Sequence, residues 1–198
     1  TMPKNKLIIF VKNEEAGKVK TRLAKSVGNE KALKIYQKLL AYTAQITKSV
    51  HAQKEVWYSR FIPKNDIWSK GEFGKKIQEG EDLGQRMLNA FRDSFEEGFE
   101  HVIIIGSDCE ELTQEIITDA FQKLETSDFI IGPAKDGGYY LLGMNSFHTE
   151  VFTGINWSTS SVLQQTISII EEKKAGYILL KELNDIDTLE DWQKQKTV

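Results

Sequence analysis

Residues 101–112 read HVIIIGSDCEEL, an apolar run rich in β-branched residues that ends in glycine, serine and aspartate. A short, continuous apolar run is typical of a strand buried on both faces of a sheet. The same pattern occurs at Lys6–Val11, which reads KLIIFV and precedes a basic segment. Because parallel α/β sheets bind ligands at the carboxyl ends of their strands, the polar residues after these two runs are the first candidates for a functional site.

Apolar runs and amphipathic segments alternate along the rest of the chain, which predicts an α/β fold with a mainly parallel sheet. Further strands are predicted at Val56–Phe61, Asp128–Ile131, Tyr139–Leu142 and Tyr177–Leu180. The spacing of apolar residues predicts helices at Asn29–Val50, Gly84–Glu97, Thr113–Leu124 and Ser160–Lys174, and a last helix that starts near Asp187. The sequence contains no repeat and no flexible linker, so we expect a single domain over residues 2–198.

Composition and charge exclude several classes of protein. The 198 residues suit one domain, and 40% hydrophobic with 28% charged residues is ordinary for a folded protein. Twenty-six Lys and Arg residues against 29 Asp and Glu residues give a net charge of −3, without the basic field of a nucleic-acid binder. The single cysteine, Cys109, cannot form an intrachain disulfide, and no apolar run reaches the roughly 18–20 residues that span a bilayer. We therefore expect a cytoplasmic protein that neither binds nucleic acid nor inserts into membranes.

The segment after the first predicted strand is strongly basic. Residues 12–23 read KNEEAGKVKTRL, in which Gly17 allows a tight turn and four cations fall within eleven residues: Lys12, Lys18, Lys20 and Arg22. Polyphosphates are bound by several fixed cations and by backbone N–H groups, so the segment is a candidate phosphate-binding loop. It follows neither the Walker A nor the G-x-G-x-x-G order, and the alternative interpretation is a solvated basic loop.

The turn after the 101–106 run offers a metal ligand. Asp108 directly follows a buried strand, and Mg²⁺ or Mn²⁺ takes oxygen ligands of this kind while keeping water and substrate phosphates in the rest of its shell. The alternative is that Asp108 caps the helix that follows. Cys109 is expected to be a small buried residue rather than a nucleophile, because no histidine accompanies it at a recognisable spacing.

A glycine-rich loop later in the chain carries another carboxylate. Residues 132–143 read GPAKDGGYYLLG, where Gly137 and Gly138 let the backbone pass close to a ligand. Asp136 is placed to bind a metal, a ribose or an acceptor hydroxyl. The alternative for this segment is a plain hairpin turn.

The C-terminal region clusters carboxylates in residues 184–191, which read NDIDTLED. If this segment folds back beside Asp108, Asp185 or Asp187 supplies a second metal carboxylate, and our prediction is Asp187. The alternative is that Asp187 only starts a helix.

Six motifs occur in one order along the chain and carry a family resemblance. They are Lys12-x4-Gly17-x-Val19-Lys20-Thr21-Arg22-Leu23, Gly80-x-Asp82-Leu83-Gly84-Gln85-Arg86-Met87, Gly106-Ser107-Asp108-Cys109, Gly132-Pro133-Ala134-x-Asp136-Gly137-Gly138-Tyr139-Tyr140-Leu141-Leu142-Gly143, Trp157-Ser158-Thr159 and Asp185-x-Asp187-Thr188-x-Glu190-Asp191. From about Lys6 to Trp192 the chain thereby resembles a bacterial family of glycosyltransferase-A-like proteins, known as arsenosugar-biosynthesis glycosyltransferases or left uncharacterised. It is more distantly similar to 2-phospholactate guanylyltransferase and to the molybdopterin-cofactor nucleotidyltransferases.

The resemblance implies a nucleotide-diphospho-sugar transferase fold, a three-layer α/β/α sandwich, that works with Mg²⁺ or Mn²⁺. It implies that Asp108 binds the metal and that the nucleotide phosphates are held by Lys12, Lys20 and Arg22, with Gly17 at the turn. Residues 78–86 would lie over the base or the sugar, among them Gln78, Gly84 and Arg86. Asp136 and Trp157, with Gly137 and Gly138, would face the second substrate.

The resulting prediction is a metal-dependent glycosyltransferase with a nucleotide-sugar donor and a small-molecule acceptor. Asp108 and Asp136 are its predicted catalytic residues, and Asp136 would act as base toward the acceptor hydroxyl. One alternative is a nucleotidyltransferase that uses a nucleoside triphosphate and a phosphate-bearing acceptor, which needs alignment but no base. The other is a nucleotide-binding module without catalysis, suggested by Glu14 and Glu110, which stand where the family usually has proline.

Overall fold

The computed structural model describes residues 4–195. Its strands are β1 (Asn5–Val11), β2 (Gln53–Tyr58), β3 (Gly74–Ile77), β4 (His101–Ile105), β5 (Phe129–Pro133), β6 (Tyr139–Met144) and β7 (Tyr177–Leu179). Its helices are α1 (Thr21–Val27), α2 (Asn29–Thr47), α3 (Leu83–Glu96), α4 (Gln114–Lys123), α5 (Val162–Glu172) and α6 (Leu189–Gln195), with a short 3₁₀ turn at Glu150–Phe152.

These strands form one sheet in the order β3-β2-β1-β4-β6-β5-β7. β1 pairs in parallel with β2 and β4, and parallel pairs also join β2 to β3 and β5 to β7. β6 is antiparallel to both of its neighbours, β4 and β5. Because β1 and β4 are parallel neighbours, the segments that follow them meet at the same edge of the sheet.

Helices cover both faces of this sheet. Successive side chains of a strand point to opposite faces, so Leu7 and Ile9 pack in one core with α2 and α4, while Ile8 packs in the other. The second core also contains Phe91 of α3 and Ile170 of α5. The molecule is therefore the three-layer α/β/α sandwich expected from the resemblance.

A third, smaller apolar cluster joins the two ends of the described chain. Leu23 of α1 packs there with Ile35 of α2, and Ile186 and Trp192 of the C-terminal region complete the cluster. This contact holds the residues before α6 against the residues after β1.

Each predicted strand and helix is present, with ends shifted by a few residues. Two elements were not predicted. Residues 12–23 are not one loop, because α1 begins at Thr21, and its single buried side chain, Leu23, left no periodic pattern to detect. β3 reads GKKI and buries no side chain fully, so it lacks the apolar signature of a strand.

One strand is shifted along the chain, since β2 runs from Gln53 to Tyr58 rather than from Val56 to Phe61. The predicted mainly parallel sheet is confirmed, and among residues 4–195 β6 is its antiparallel member. Residues 2, 3 and 196–198 of the predicted domain lie outside the described residues, and among residues 4–195 no helix combines the length and apolar character needed to cross a membrane.

Candidate functional site

A cavity of about 350 Å³ opens where β1 and β4 end. Its lining comes from the end of β1 and the residues after it (10–12 and 19–21), from residues 106–109 after β4, and from Asp185 and Asp187 near the C-terminus. Tyr36, Gln78, Leu83 and the pair Tyr139–Tyr140 complete it. The cavity therefore combines lysines, carboxylates and apolar rings at the edge of the sheet where α/β proteins bind ligands.

Lys20 is the buried cation of this cavity. Its backbone adopts the left-handed conformation at φ 50°, which is uncommon for a residue other than glycine, and α1 begins directly after it. Its Nζ lies 2.8 Å from Oδ1 of Asp108 and also donates a hydrogen bond to the carbonyl of Ile186. The Lys20 side chain is 5% exposed, whereas that of Asp108 is 46% exposed.

The C-terminal segment folds back beside Asp108, which is the condition that the sequence left open. The Ile186 N–H donates to the Asp108 carbonyl at 2.8 Å, and the Asn184 N–H donates to Oε1 of Glu111 at 2.9 Å. Between these two anchors stands Asp185, whose side chain lines the cavity together with Asp108. Three carboxylates, Asp108, Asp185 and Asp187, therefore face one cavity.

Asp185 has an unusual protonation equilibrium. The pKa of its carboxyl group is raised to about 7, mainly by burial and also by the neighbouring Asp108 and Asp136 carboxylates, while Lys20 acts in the opposite direction. Among the described residues none donates a hydrogen bond to this carboxylate. A carboxyl group with a pKa near neutrality is suited to accept or share a proton at physiological pH.

Lys12 supplies an exposed cation at the same cavity. Its backbone N–H donates to the Tyr36 hydroxyl at 2.8 Å, and this hydroxyl lies 3.2 Å from Oγ of Ser107. Burial raises the pKa of Tyr36 well above its usual range, so the hydroxyl stays protonated. The bond fixes the backbone of Lys12 next to the Asp108 turn, and within residues 4–195 the Lys12 side chain forms no ion pair.

Gln78 and Arg86 hold neighbouring loops together. The Gln78 Nε2 donates to the carbonyls of Val11 and Trp57 at 3.1 and 2.8 Å, and its Oε1 accepts from Arg86 at 3.3 Å. Arg86 Nε also donates to the Gly80 carbonyl at 3.1 Å. Gln78 lines the cavity, but its amide is engaged by the protein, and Arg86 is not part of the lining. A contact of either side chain with a nucleotide stays a prediction.

Several other predicted site residues lie outside the cavity lining. Arg22 is exposed and pairs with Asp187 at 2.9 Å. Asp136 closes a turn, since its Oδ1 accepts from the Gly138 N–H at 2.9 Å, as the hairpin alternative expects. Gly17 is an exposed turn residue with φ 83°. Ligand contacts by these three residues stay predictions.

Gly84, predicted on the nucleotide side, packs against Trp157 of the predicted acceptor side, and the acceptor-side Gly137 packs against the backbone of Ser160. A Cβ on Gly84 would lie 2.6 Å from the Trp157 ring, and a Cβ on Gly137 would lie 2.1 Å from the Ser160 carbonyl oxygen. These glycines therefore permit close approach of protein to protein. Gly84, Gly137, Gly138 and Trp157 shape the region beside the cavity, and ligand contacts by them stay predictions.

Two residues that organise the site were not predicted from sequence. Tyr36 lines the cavity, but it sits within the helix predicted at Asn29–Val50, at a position of the apolar pattern. Asn13 is buried and links the segment after β1 to the β2–β3 loop: its Nδ2 donates to the Phe61 carbonyl at 2.8 Å, and its Oδ1 accepts from the Arg60 and Phe61 N–H groups at 2.9 and 3.1 Å. A lone asparagine in a polar segment carries no local signal of such a role.

The donor set is compatible with a divalent cation shared with a ligand. No group of three metal-ligating side chains forms among residues 4–195. Mg²⁺, however, is commonly held by one or two carboxylates together with substrate phosphates and water. Asp108 and Asp185, with their mutual repulsion, provide that number of carboxylates at the cavity.

Comparison with known proteins now places the chain in a family. A family model described as "Uncharacterized protein conserved in bacteria (DUF2064)" matches residues 39–159. The chain belongs to the DUF2064 family. The matched range includes the Asp108 turn and the glycine-rich loop, while Lys20 and the carboxylates of residues 185–187 lie outside it.

The chain is also similar to solved structures over nearly its whole length. A candidate nucleotide-diphospho-sugar transferase from Desulfovibrio desulfuricans G20 is 34% identical, with a TM-score of 0.92 over 98% of this chain and 87% of that one. A CMP:2-keto-3-deoxy-manno-octonic acid synthetase, solved with CTP, is 9% identical, with a TM-score of 0.59 over 98% and 97% of the two chains. Rv0371c of Mycobacterium tuberculosis H37Rv, solved with manganese, is 9% identical, with a TM-score of 0.58 over the full length of both.

The last two structures share the fold with this DUF2064 protein. The Desulfovibrio protein shares sequence as well, so the nucleotide-diphospho-sugar transferase fold expected from the motifs is confirmed. A search of curated proteins found no match.

Proposed function

We propose that this DUF2064 protein is a metal-dependent glycosyltransferase that takes a nucleotide-sugar donor and a small-molecule acceptor. The observation that carries the proposal is the meeting of Lys12, Lys20, Asp108 and Asp185 around one cavity at the ends of β1 and β4. A diphosphate requires cations on one side and tolerates carboxylates only through a bridging metal, and this cavity offers both kinds of group. Similarity to the Desulfovibrio protein supports a transferase.

In this proposal the lysines bind phosphate and the carboxylates bind the metal. Lys12 and Lys20 bind the donor phosphates and stabilise charge that develops on the leaving oxygen. Asp108 holds the metal, with Asp185 or Asp187 as the second carboxylate. Mg²⁺ or Mn²⁺, when bound, would neutralise the diphosphate and polarise its oxygens.

The base for the acceptor hydroxyl is reassigned within this proposal. Asp136, the residue predicted from sequence, is held in a turn outside the cavity lining. Asp185 lines the cavity, and the rise of its pKa to about 7 suits a general base when it is not engaged by metal. An acceptor hydroxyl placed beside Asp185 could transfer its proton to this carboxylate.

A nucleotidyltransferase is the second candidate. The position of Asp136 outside the cavity lining supports this function, because transfer of a nucleotidyl group to a phosphate needs alignment and no base. Lys12, Lys20 and Asp108 would keep their roles, and the leaving group would be pyrophosphate.

A ligand panel tests both functions. We would measure thermal unfolding with UDP- and GDP-sugars and with nucleoside triphosphates, each with and without Mn²⁺. A ligand at about 100 times its Kd stabilises by roughly 2.7 kcal/mol, which is easily detected. Stabilisation by a nucleotide-sugar, with slow release of nucleoside diphosphate, supports glycosyl transfer, whereas stabilisation by a triphosphate with release of pyrophosphate supports nucleotidyl transfer.

Two variants make the panel specific for the site. Asp108→Asn should lose the Mn²⁺-dependent part of the stabilisation, whereas Asp119→Asn, a change of the same kind on α4, should keep it. If no nucleotide or nucleotide-sugar stabilises the wild-type protein, both functions are wrong.

A further inference from the structure

The chain places its own cation on the carboxylate that the proposed function assigns to a metal. Lys20 Nζ lies 2.8 Å from Asp108 Oδ1, and the lysine side chain is almost fully buried. The Asp108 carboxylate is half-exposed and lines the cavity, so it is accessible to a ligand while it is neutralised from within.

The second acceptor of Lys20 fixes the ammonium near this position. Its Nζ also donates to the backbone carbonyl of Ile186, and the Ile186 N–H donates to the Asp108 carbonyl at 2.8 Å. A buried ammonium must keep hydrogen-bond acceptors, because an unpaired buried charge is strongly unfavourable. Lys20 can therefore leave Asp108 only if another anion takes its place.

A divalent cation on Asp108 would oppose Lys20 in two ways. It would repel the ammonium at short range, in a site that is partly shielded from water. It would also compete with Lys20 for the Asp108 carboxylate oxygens, which accept the hydrogen bond of the ammonium. A polyphosphate in the same cavity reverses the balance, because its oxygens offer Lys20 a new charged acceptor.

Resting on the proposed function, we propose that Lys20 is an exchangeable internal cation that makes metal and polyphosphate bind cooperatively. In the empty site it neutralises Asp108 and disfavours binding of metal alone. When both ligands bind, the hydrogen bond of Lys20 passes from Asp108 to a phosphate oxygen, and Asp108 is released to the metal. By linkage, each ligand raises the affinity for the other by the same factor.

Lys12 provides a matched control for this exchange. It lines the same cavity and carries the same charge, but it is exposed and forms no ion pair among the described residues. Lys12 should attract phosphate without holding Asp108, so its removal tests the effect of cavity charge alone.

The test is a set of Mn²⁺ titrations on metal-stripped protein by calorimetry and by the paramagnetic resonance of free Mn²⁺. Wild type, Lys20→Met and Lys12→Met are titrated with Mn²⁺ alone and with Mn²⁺ plus pyrophosphate, with protein-free pyrophosphate solutions to correct for complexes in solution. Lys20→Met should bind Mn²⁺ alone on the order of ten- to a hundredfold more tightly than wild type and should lose most of the coupling to pyrophosphate. Lys12→Met should weaken pyrophosphate binding and change the affinity for Mn²⁺ alone by much less.

The variant Lys20→Gln covers the case in which Lys20→Met does not fold. Glutamine keeps a donor for the Ile186 carbonyl and lacks the charge, so it should reproduce the gain in Mn²⁺ affinity. The coupling can also be measured in wild type, without any variant. Pyrophosphate must raise the affinity of the wild-type protein for Mn²⁺ beyond what separate sites would give.

The outcomes separate this inference from the proposed function. If wild type binds Mn²⁺ alone as tightly as the Lys20 variants do, or if both lysine-to-methionine changes raise Mn²⁺ affinity equally, the exchange is wrong while the proposed function stands. If Mn²⁺ and pyrophosphate bind wild type independently, the exchange is also wrong. If wild type binds neither, together or separately, both the exchange and the proposed function are wrong.

Discussion

Asn13 shows how a single buried amide can position a functional loop. It is the residue that follows Lys12, and its side chain makes one donor and two acceptor contacts with the backbone of residues 60 and 61. These bonds tie the segment after β1 to the loop after β2, so the position of Lys12 depends on a residue outside the cavity lining.

Replacing Asn13 with alanine should lower the free energy of unfolding by about 2 kcal/mol, because the buried backbone groups of Arg60 and Phe61 would lose their partners. Urea denaturation measures the change. Asn65→Ala, an exposed asparagine in the same loop, should change stability by less than about 0.5 kcal/mol. Equal effects of the two substitutions would show that Asn13 does not anchor the loop.

Asp185 should make stability depend on pH in an unusual direction. Its folded-state pKa of about 7 lies above the value of an unfolded aspartate, so the folded state binds the extra proton. Stability from this group is therefore full below about pH 4 and falls as pH rises toward 7, with no further change above it.

In metal-free protein, Asp185→Asn should thus raise the melting temperature at pH 8 and leave it nearly unchanged near pH 4. Paired thermal melts of wild type and variant across this range measure the difference. Glu125→Gln, at an exposed position, should show no such pH-dependent gain, and a gain for Asp185→Asn that is the same at pH 4 and pH 8 would contradict the raised pKa.

At the scale of elements, the start of α3 is fitted to the loop that carries Trp157. Gly84 is the second residue of the helix, and a Cβ there would lie 2.6 Å from the Trp157 ring. Helix propensity alone would make Gly84→Ala favourable by about 1 kcal/mol, so a loss of stability would reveal the packing constraint.

We expect Gly84→Ala to destabilise the protein and to shift the tryptophan emission, and we expect Trp157→Leu to relieve much of that loss. Denaturant unfolding of the double-mutant cycle measures the coupling. Gly71→Ala, whose Cβ would meet nothing closer than 3.9 Å, is the matched control and should be nearly neutral. Additive effects of Gly84→Ala and Trp157→Leu would exclude the contact.

The elements predicted best from sequence are those whose buried residues form a local apolar pattern. β1 and β4 each contain a continuous apolar run, and the polar residues after them do meet at one cavity because parallel neighbours end at the same edge. β3 escaped prediction because an edge strand of polar composition has no such pattern.

The site was predictable only in part, because its decisive contacts join residues far apart in sequence. Lys20 and Asp108 were identified from their places after strands. The burial of Lys20 depends on Ile186, which is 166 positions away. Arg22 looked equivalent to Lys20 in the sequence, but the turn into α1 sends it outward to Asp187.

At the scale of the whole molecule, a charge network joins β1 and β2 to the end of α3. Lys6 of β1 has no exposed surface and lies 2.9 Å from Glu55 of β2, with Glu97, just after α3, at 3.3 Å. Trp57 Nε1 donates a further hydrogen bond to Glu55 at 3.0 Å. Removing Lys6 would leave the buried Glu55 carboxylate with only Trp57 and Lys76, whose Nζ lies 3.6 Å away, as partners.

Lys6→Met should therefore lower the free energy of unfolding by about 3 kcal/mol, and the double change Lys6→Met with Glu55→Gln should recover a large part of it. Urea denaturation measures both. Lys4→Met removes an exposed pair with Glu100 and should cost less than about 1 kcal/mol. A small effect of Lys6→Met would mean that Glu55 is adequately compensated by Lys76 and Trp57.

The return of the C-terminal segment to Asp108 has a consequence for biosynthesis. The cavity wall at Asp185–Asp187 and the second acceptor of Lys20 are among the last described parts of the chain to be translated. A nascent chain can pair β1 with β2 and β4 as these strands emerge, but it cannot assemble the cavity until residue 187 has joined them. Ligand binding at this cavity, the role proposed above, therefore requires translation through residue 187.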